Sequence, residues 1–221
     1  MPSPGPTRTS GVASSDTPER LLDAAEELIA TIGVEAASVR AVNALAGRNP
    51  AAVHYHFGSK EALVRSALDR RMLTLGARRT RMLATLEGAT PPTPRDAVAV
   101  LVLPLADIRR TEPWGATYVR FLDALTQAGE PWRRLIAAAF EPQRANVDAV
   151  IARALPELSP TMRAVRLTFV GRSSVSALAN LDEYTALLRR EPDPEQAAVD
   201  ALIDVLAACL AAPADNTNRR S

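Results

Sequence analysis

The hydrophobic positions of this chain fall at helical spacing almost from end to end. Leu21, Ala25, Leu28 and Ile32 recur every three or four residues, which predicts an amphipathic helix with Thr17 as N-cap, Pro18 in its first turn and Gly33 as its stop. A second, short helix starts from a Ser38 cap, turns Val42 and Leu45 inward and ends at Gly47. Asn49 ahead of Pro50 caps a third, which runs to about Phe57. Gly58 and Ser59 separate it from a fourth, whose stripe of Leu63, Ala67, Leu68, Met72 and Leu75 carries it toward Gly88. Pro91, Pro92 and Pro94 are the strongest punctuation and mark a domain-like boundary. Beyond them, helical patterns cover about 95–109, 113–127, 131–154, 160–181 and 194–212, broken at Pro113, Pro131, Pro156, Pro160, Pro192 and Pro194.

Composition narrows the class. The 221 residues are 47% hydrophobic but only 4% aromatic, with Ala, Leu and Val dominant, which favours packed helices and predicts an all-α protein. One cysteine, Cys209 in a buried-looking pattern, excludes an internal disulfide framework and any site built on several thiolates, and suits a reducing cytoplasm. The two histidines, His54 and His56, stand two residues apart, a spacing that does not share a helical face, so no metal and no cofactor is implied. Residues 1–15, rich in Pro, Ser, Gly and Thr, read as a disordered arm without the apolar stretch of a signal peptide. The apolar run at 97–106 is about half the ~20 residues that a membrane span needs. Residues 213–221 read as a flexible tail.

Two short helices joined by a tight turn, over 38–47 and 49–57, fit a helix-turn-helix, whose second helix enters a DNA major groove while the first crosses the backbone. Ala51 and Ala52 are small enough to let that helix approach base edges, and His54, Tyr55 and His56 offer donors at the groove rim. Between residues 38 and 81 nine basic residues (Arg40, Arg48, Lys60, Arg65, Arg70, Arg71, Arg78, Arg79, Arg81) face two acids, Glu61 and Asp69, whereas residues 16–35 are acidic. Such segregation predicts a positive patch beside the reading helix, as phosphate binding requires.

These residues resemble a family. The run GRNPAAVHYHFGSKEALV at 47–64, preceded by SVRAVNALA, is similar to the N-terminal DNA-binding domain of the TetR family of ligand-responsive bacterial repressors. The similarity spans about 17–67 and is most specific at Tyr55, His56, Phe57, Gly58, Ser59 and Lys60. It departs from the common pattern at Arg48 and Asn49 before the reading helix, at Ala51 and Ala52 within it, and at His54 in place of an aromatic. The resemblance implies that Ser38 and Arg40 open the backbone-crossing helix and that Arg48, Asn49, Pro50, Ala51, Ala52 and His54 face bases or nearby phosphates. It further implies that Tyr55, His56 and Lys60, the last the sole lysine among 26 basic residues, clamp the phosphate backbone. The implied organisation is a helix-turn-helix domain at 16–64 and a helical regulatory and dimerisation domain at 65–212, with a homodimer formed through the last two long helices.

The regulatory half supplies a candidate effector site by composition. Its apolar residues include Val98, Leu101, Leu105, Ile108, Leu125, Trp132, Leu135 and Ile136, each of which serves a core as readily as a cavity. Trp114, Tyr118, Phe121, Leu122 and Phe140 are the first candidates to line a pocket for a small apolar or amphipathic effector. In the two last long helices, Met162, Val165, Phe169, Ser173, Ala177 and Leu178 and then Ala198, Ala201, Leu202, Val205, Leu206, Cys209 and Leu210 serve either an internal core or a four-helix interface with a second copy. Gly171, Ser174 and Ala208 would permit close approach there. The reading is a cytoplasmic repressor that grips a near-palindromic operator as a dimer, without membrane attachment, and is released by its effector. A helical lipid or small-molecule binder of the same fold without sequence-specific DNA binding is the alternative. An enzyme would need a catalytic constellation outside the reading domain, and the sequence offers neither a histidine nor a phosphate-cradling glycine run there.

Overall fold

The structure, a computed structural model, describes residues 16–88 and 90–213. Both the N-terminal arm and all of the C-terminal tail beyond Pro213 lie outside those residues. Every described element is an α-helix: α1 (Asp16–Ile32), α2 (Val39–Leu45), α3 (Ala52–Phe57), α4 (Lys60–Thr85), α5 (Pro94–Thr111), α6 (Gly115–Gln127), α7 (Trp132–Ala154), α8 (Pro160–Ala179), α9 (Leu181–Leu187) and α10 (Pro194–Ala211). The first helix begins at Asp16, one residue before the expected cap at Thr17, and α4 stops at Thr85 rather than near Gly88. The helical pattern over 160–181 resolves into α8 and the separate α9, because Asn180 leaves helical geometry between them.

Local chemistry explains most of these ends. Ser38 accepts a hydrogen bond from the Ala41 N–H at 3.1 Å and Ser59 one from the Ala62 N–H at 3.1 Å, so both hydroxyls satisfy orphan donors of a first turn. Thr93 and Asp96 form a reciprocal capping box at the start of α5, and Pro94, Pro160 and Pro194 occupy first-turn positions of their helices. Gly47 ends α2 at φ +65°, a left-handed conformation that glycine adopts without penalty. Gly115 is required for a different reason: a Cβ there would lie 2.0 Å from the Ile108 carbonyl oxygen, so only glycine lets α6 start this close to α5.

The three N-terminal helices form a head that is rooted in the larger bundle rather than hung from it. Helix α1 packs on α2, α4 and α6, while α5 contacts α4, α6, α7, α8 and α10. One continuous core runs through both parts, from Leu21, Ile29 and Val53 through Leu63 and Leu75 to Phe121, Ile151 and Ile203. The root of the head is ionic. Glu26 of α1, 2% exposed, receives Arg70 Nε at 3.0 Å and Arg71 Nε at 3.2 Å, and Arg70 also donates to Asp23 at 2.7 Å and Glu19 at 2.9 Å. A buried carboxylate is tolerated only when paired in this way.

The same clasp corrects the expectation of a broad positive patch. The acids of α1 fold back onto Arg70 and Arg71, Arg78 pairs with Asp107 and Glu112, and Arg79 is buried, so segregation along the sequence does not survive as segregation on the surface. Glu26→Ala should lower the unfolding free energy by roughly 2–4 kcal/mol, somewhat below the full cost of breaking a buried pair because Arg70 keeps its other acids. Urea denaturation measures this, and a loss under about 1 kcal/mol would mean that the clasp contributes no more than a surface pair.

Candidate functional site: a nucleic-acid interface and an apolar cavity

Asn43 sets the angle between α2 and α3. Its side chain, 1% exposed, donates through Nδ2 to the Pro50 carbonyl at 2.8 Å and accepts through Oδ1 from the Val53 N–H at 3.1 Å, so one amide spans the turn and both helices. Arg48 N–H donates to the Asn43 carbonyl at 2.9 Å, and Asn49 Oδ1 accepts from the Ala51 N–H at 3.0 Å, which orders the entry to α3. Asn43 was not singled out from sequence, although a polar residue one step from Val42 on the inner face of a seven-residue helix is the signal that finds it.

The outer face of this unit carries most of the expected DNA-contacting residues. Ser38 and Arg40 at the start of α2, and Asn49, Pro50, Ala51, His54, Tyr55 and His56 around α3, are all exposed. Tyr55 is 84% exposed, with the His56 ring edge-on to it at 4.9 Å. Arg40 has no ion pair among the described residues, which leaves its guanidinium available. His54 shares its Nδ1 with the Gly58 carbonyl at 3.0 Å and so also closes the C-terminal end of α3.

Three of the expected contacts are placed differently. Ala52 is 6% exposed and packs inward beside Val53, because α3 turns one face to α2 and α4 and position 52 falls on it; it cannot meet a base edge. Arg48 is half-buried, 3.7 Å from Asp16, with its Nε buried and unbonded, so the turn is clipped to the start of α1. Lys60 donates to the Val34 carbonyl and lies 5.5 Å from the Trp132 ring centroid, and its desolvation pulls the ammonium below lysine's usual value, against the opposing pull of Glu35. Trp132 Nε1 in turn donates to Glu35 at 2.8 Å. In this arrangement Lys60 is a strut between the α1–α2 turn and α7 rather than a free phosphate clamp.

The regulatory bundle holds a half-open cavity of about 350 Å³ lined from α4, α5, α6, α7 and α8. Leu101, Leu105, Ile136, Phe140, Val147, Leu167 and Val175 supply its apolar wall, and Gly171 and Ser174 also line it. Of the five residues first expected to line a pocket, Phe140 does so. Tyr118, Phe121 and Leu122 are fully buried and do not line it, with the Tyr118 and Phe121 rings stacked 6.0 Å apart. Trp114 is covered by the Arg71 guanidinium at 4.1 Å. Helical spacing placed these aromatics correctly on one face, but α6 packs on α1, and Arg71 and Met72 of α4 reach Trp114 and Tyr118.

Sequence reasoning counted Arg79 in the positive patch and missed its place in the cavity. It continues the apolar stripe of α4 four residues after Leu75, a place where a charged residue is out of register with its surroundings. It is 4% exposed, lines the cavity, and donates through Nε to the Val100 carbonyl at 3.2 Å and through Nη1 to Gln143 Oε1. Burial pulls its guanidinium down to about 10, which still leaves it charged at neutral pH.

On the opposite side, α8 and α10 leave an apolar stripe uncovered. Met162, Val165 and Phe169 on α8 and Val205 on α10 are exposed, Phe169 by 70% and Val205 by 61%. Leu178, Ala198, Leu206 and Leu210 serve the internal core, and Cys209 is exposed rather than buried.

With this geometry in view, the sequence matches the family model of bacterial regulatory proteins, tetR family, over residues 21–67 and that of the tetracyclin repressor-like C-terminal domain over residues 99–212. No curated protein matches it. Among solved structures, the transcriptional regulator FadR from Bacillus subtilis, crystallised with stearoyl-CoA, is 14% identical with a TM-score of 0.58, over 86% of this chain and 98% of that one. NalD from Pseudomonas aeruginosa, the secondary repressor of the MexAB-OprM multidrug efflux pump, is 21% identical with a TM-score of 0.53, over 87% and 96%. AmtR from Mycobacterium smegmatis is 21% identical with a TM-score of 0.52, over 92% and 90%. At these identities the solved structures share the fold.

Burial at neighbouring alanines gives a direct check on the orientation of α3. Ala52→Leu should cost about 1–3 kcal/mol by overpacking, whereas Ala51→Leu at the exposed position should stay within about 0.5 kcal/mol of wild type. Thermal melts of the two variants decide it, and equal losses would mean that α3 is rotated from the face described.

Proposed function

The chain belongs to the tetR family of bacterial regulatory proteins, and we propose that within it this protein is a dimeric repressor that grips a near-palindromic operator and releases it when a small amphipathic effector enters the regulatory bundle. As a member it is a DNA-binding, ligand-responsive transcription regulator rather than an enzyme. The proposed division is a DNA-binding unit at 16–64 and a regulatory and dimerisation unit at 65–212, acting in the cytoplasm.

The observation that carries the DNA reading is the exposed outer face of α2 and α3. There Ser38, Arg40, Asn49, Pro50, Ala51, His54, Tyr55 and His56 stand clear of the protein, while Asn43 holds the two helices at a fixed angle behind them. We assign Arg40 and Tyr55 to phosphates, and Ala51 and His54 to the neighbourhood of base edges. Arg48 and Lys60, tethered to Asp16 and Val34, position the head.

Dimerisation through α8 and α10 would cover Met162, Val165, Phe169 and Val205 and place two reading helices about 34–36 Å apart, one turn of B-DNA. Release requires an effector that binds better to the conformation whose reading helices miss successive grooves, since equal affinity for both states shifts nothing. Helix α4 joins the two parts: it begins at the head with Ser59 as its cap and lines the cavity at Arg79.

Fluorescence anisotropy on duplexes selected from a random pool tests the reading. Binding should weaken steeply with salt, and Arg40→Ala should weaken it across all sequences and reduce the log–log salt slope by about 1. Weak binding without sequence preference would overturn sequence-specific regulation. Phe169→Glu should convert a sedimenting dimer to monomer and lose operator affinity; a dimer that persists would move the interface elsewhere.

A further inference from the structure

The ionic content of the cavity points to its occupant. Its lining includes four arginines, Arg79, Arg133, Arg144 and Arg172, and no carboxylate. This is unlike the groove among α4, α5 and α10, where Arg78 and Arg110 both meet Asp107. Arg133 is 3.7 Å from Glu130 and Arg172 donates to the Thr126 carbonyl at 2.9 Å, both at exposed positions. Arg79 is the deep one, and among the described residues it has no ion-pair partner. Its contacts are neutral, a carbonyl and an amide oxygen.

The geometry of those contacts leaves donors without acceptors. Arginine has five N–H groups and no lone pair to offer, so Gln143 must present Oε1 to Nη1, which leaves its Nε2 amide beside Gly76 of α4. Arg79 Nη2 finds no acceptor among the described residues. One uncommitted cationic donor sits beside the apolar wall of a half-open cavity whose lining holds no carboxylate. A buried cation without a counter-charge is costly, and an alcohol or amine cannot neutralise it. A carboxylate can: it is an acceptor only, planar, and suited to the guanidinium edge.

We propose that the effector site of this protein takes a free carboxylic acid with an apolar tail, carboxylate first, with Arg79, held by Gln143, receiving the head and Phe140, Leu101, Leu105 and Val147 flanking the tail. The inference deepens the effector half of the proposed function and rests on it for its regulatory meaning, though not for binding itself. Exposed Arg144, which has no ion pair among the described residues, adds a positive charge to the lining that favours anions.

The test is isothermal titration of the delipidated full chain with a matched series: octanoate, dodecanoate and hexadecanoate, then 1-dodecanol, dodecylamine and methyl dodecanoate. At least one acid should bind about tenfold or more tighter than the alcohol, ester and amine, a difference of about 1.4 kcal/mol. Arg79→Met should abolish that preference while leaving dodecanol within about threefold, and it should raise the melting temperature of the empty protein by removing a lone buried charge. Arg79→Lys, which keeps the charge, should retain the preference for acid and guards against a methionine variant that fails to fold. Equal affinity for acid and alcohol, no binding by any acid, or undiminished acid binding by a folded Arg79→Met each overturns the proposal. Anisotropy on the operator separates the two readings: acid binding that leaves the DNA complex intact refutes effector release and leaves the Arg79 site standing. Operator binding in a protein that takes up no acid refutes the Arg79 site and leaves the DNA reading standing.

Discussion

The carboxylate of Glu26 is the fixed point of this molecule. Taken out of water, it demands cations, and the two it receives, Arg70 and Arg71, come from the middle of the long helix that joins head to bundle. Their guanidiniums set the register of α1 on α4, and Arg71 then lies over the Trp114 ring where α6 begins. The start of α6 is itself held against α5 by Gly115. One buried charge thus orders four helices, and α1 belongs as much to the regulatory bundle as to the DNA-binding head.

What was legible in the sequence was local. Helical periodicity, the Ser38 and Ser59 caps, the left-handed stop at Gly47 and the proline breaks place nearly every helix, because each depends on residues within one or two turns. What was not legible was which neighbour a face meets. The aromatic series around α6 reads as a pocket wall by pattern but packs against α1 and against Arg71 and Met72, and the α1 acids read as a separate acidic segment but pair with the basic one. Ala51 and Ala52 are chemically identical and adjacent, and only the tertiary rotation of α3 separates the exposed one from the buried one. Lys60 shows the limit of a motif: a residue that fits the family pattern is engaged by Val34 and Trp132 of its own chain.

The two buried charges of opposite sign are handled in opposite ways. Glu26 is surrounded by cations from its own fold and contributes to holding the head, whereas Arg79 receives only dipoles and leaves donors unused. Both occupy positions that a purely structural helix would give to leucine. A fold that tolerates the second arrangement gives up stability in the empty state, and such a concession is characteristic of a binding site rather than of a core.

The chain contains only two tryptophans, and each stands at the start of a helix, Trp114 ahead of α6 and Trp132 at the head of α7. Trp114 rests under the Arg71 guanidinium, and Trp132 bonds to Glu35 beside the Lys60 ammonium. Trp132 therefore sits at the seam where the head meets the rest, within reach of charged groups contributed by the other side, and Trp114 lies against one of the two arginines that clasp Glu26 of the head. The ultraviolet emission of this protein is a native optical reporter of how the head is seated, with no label needed to follow it.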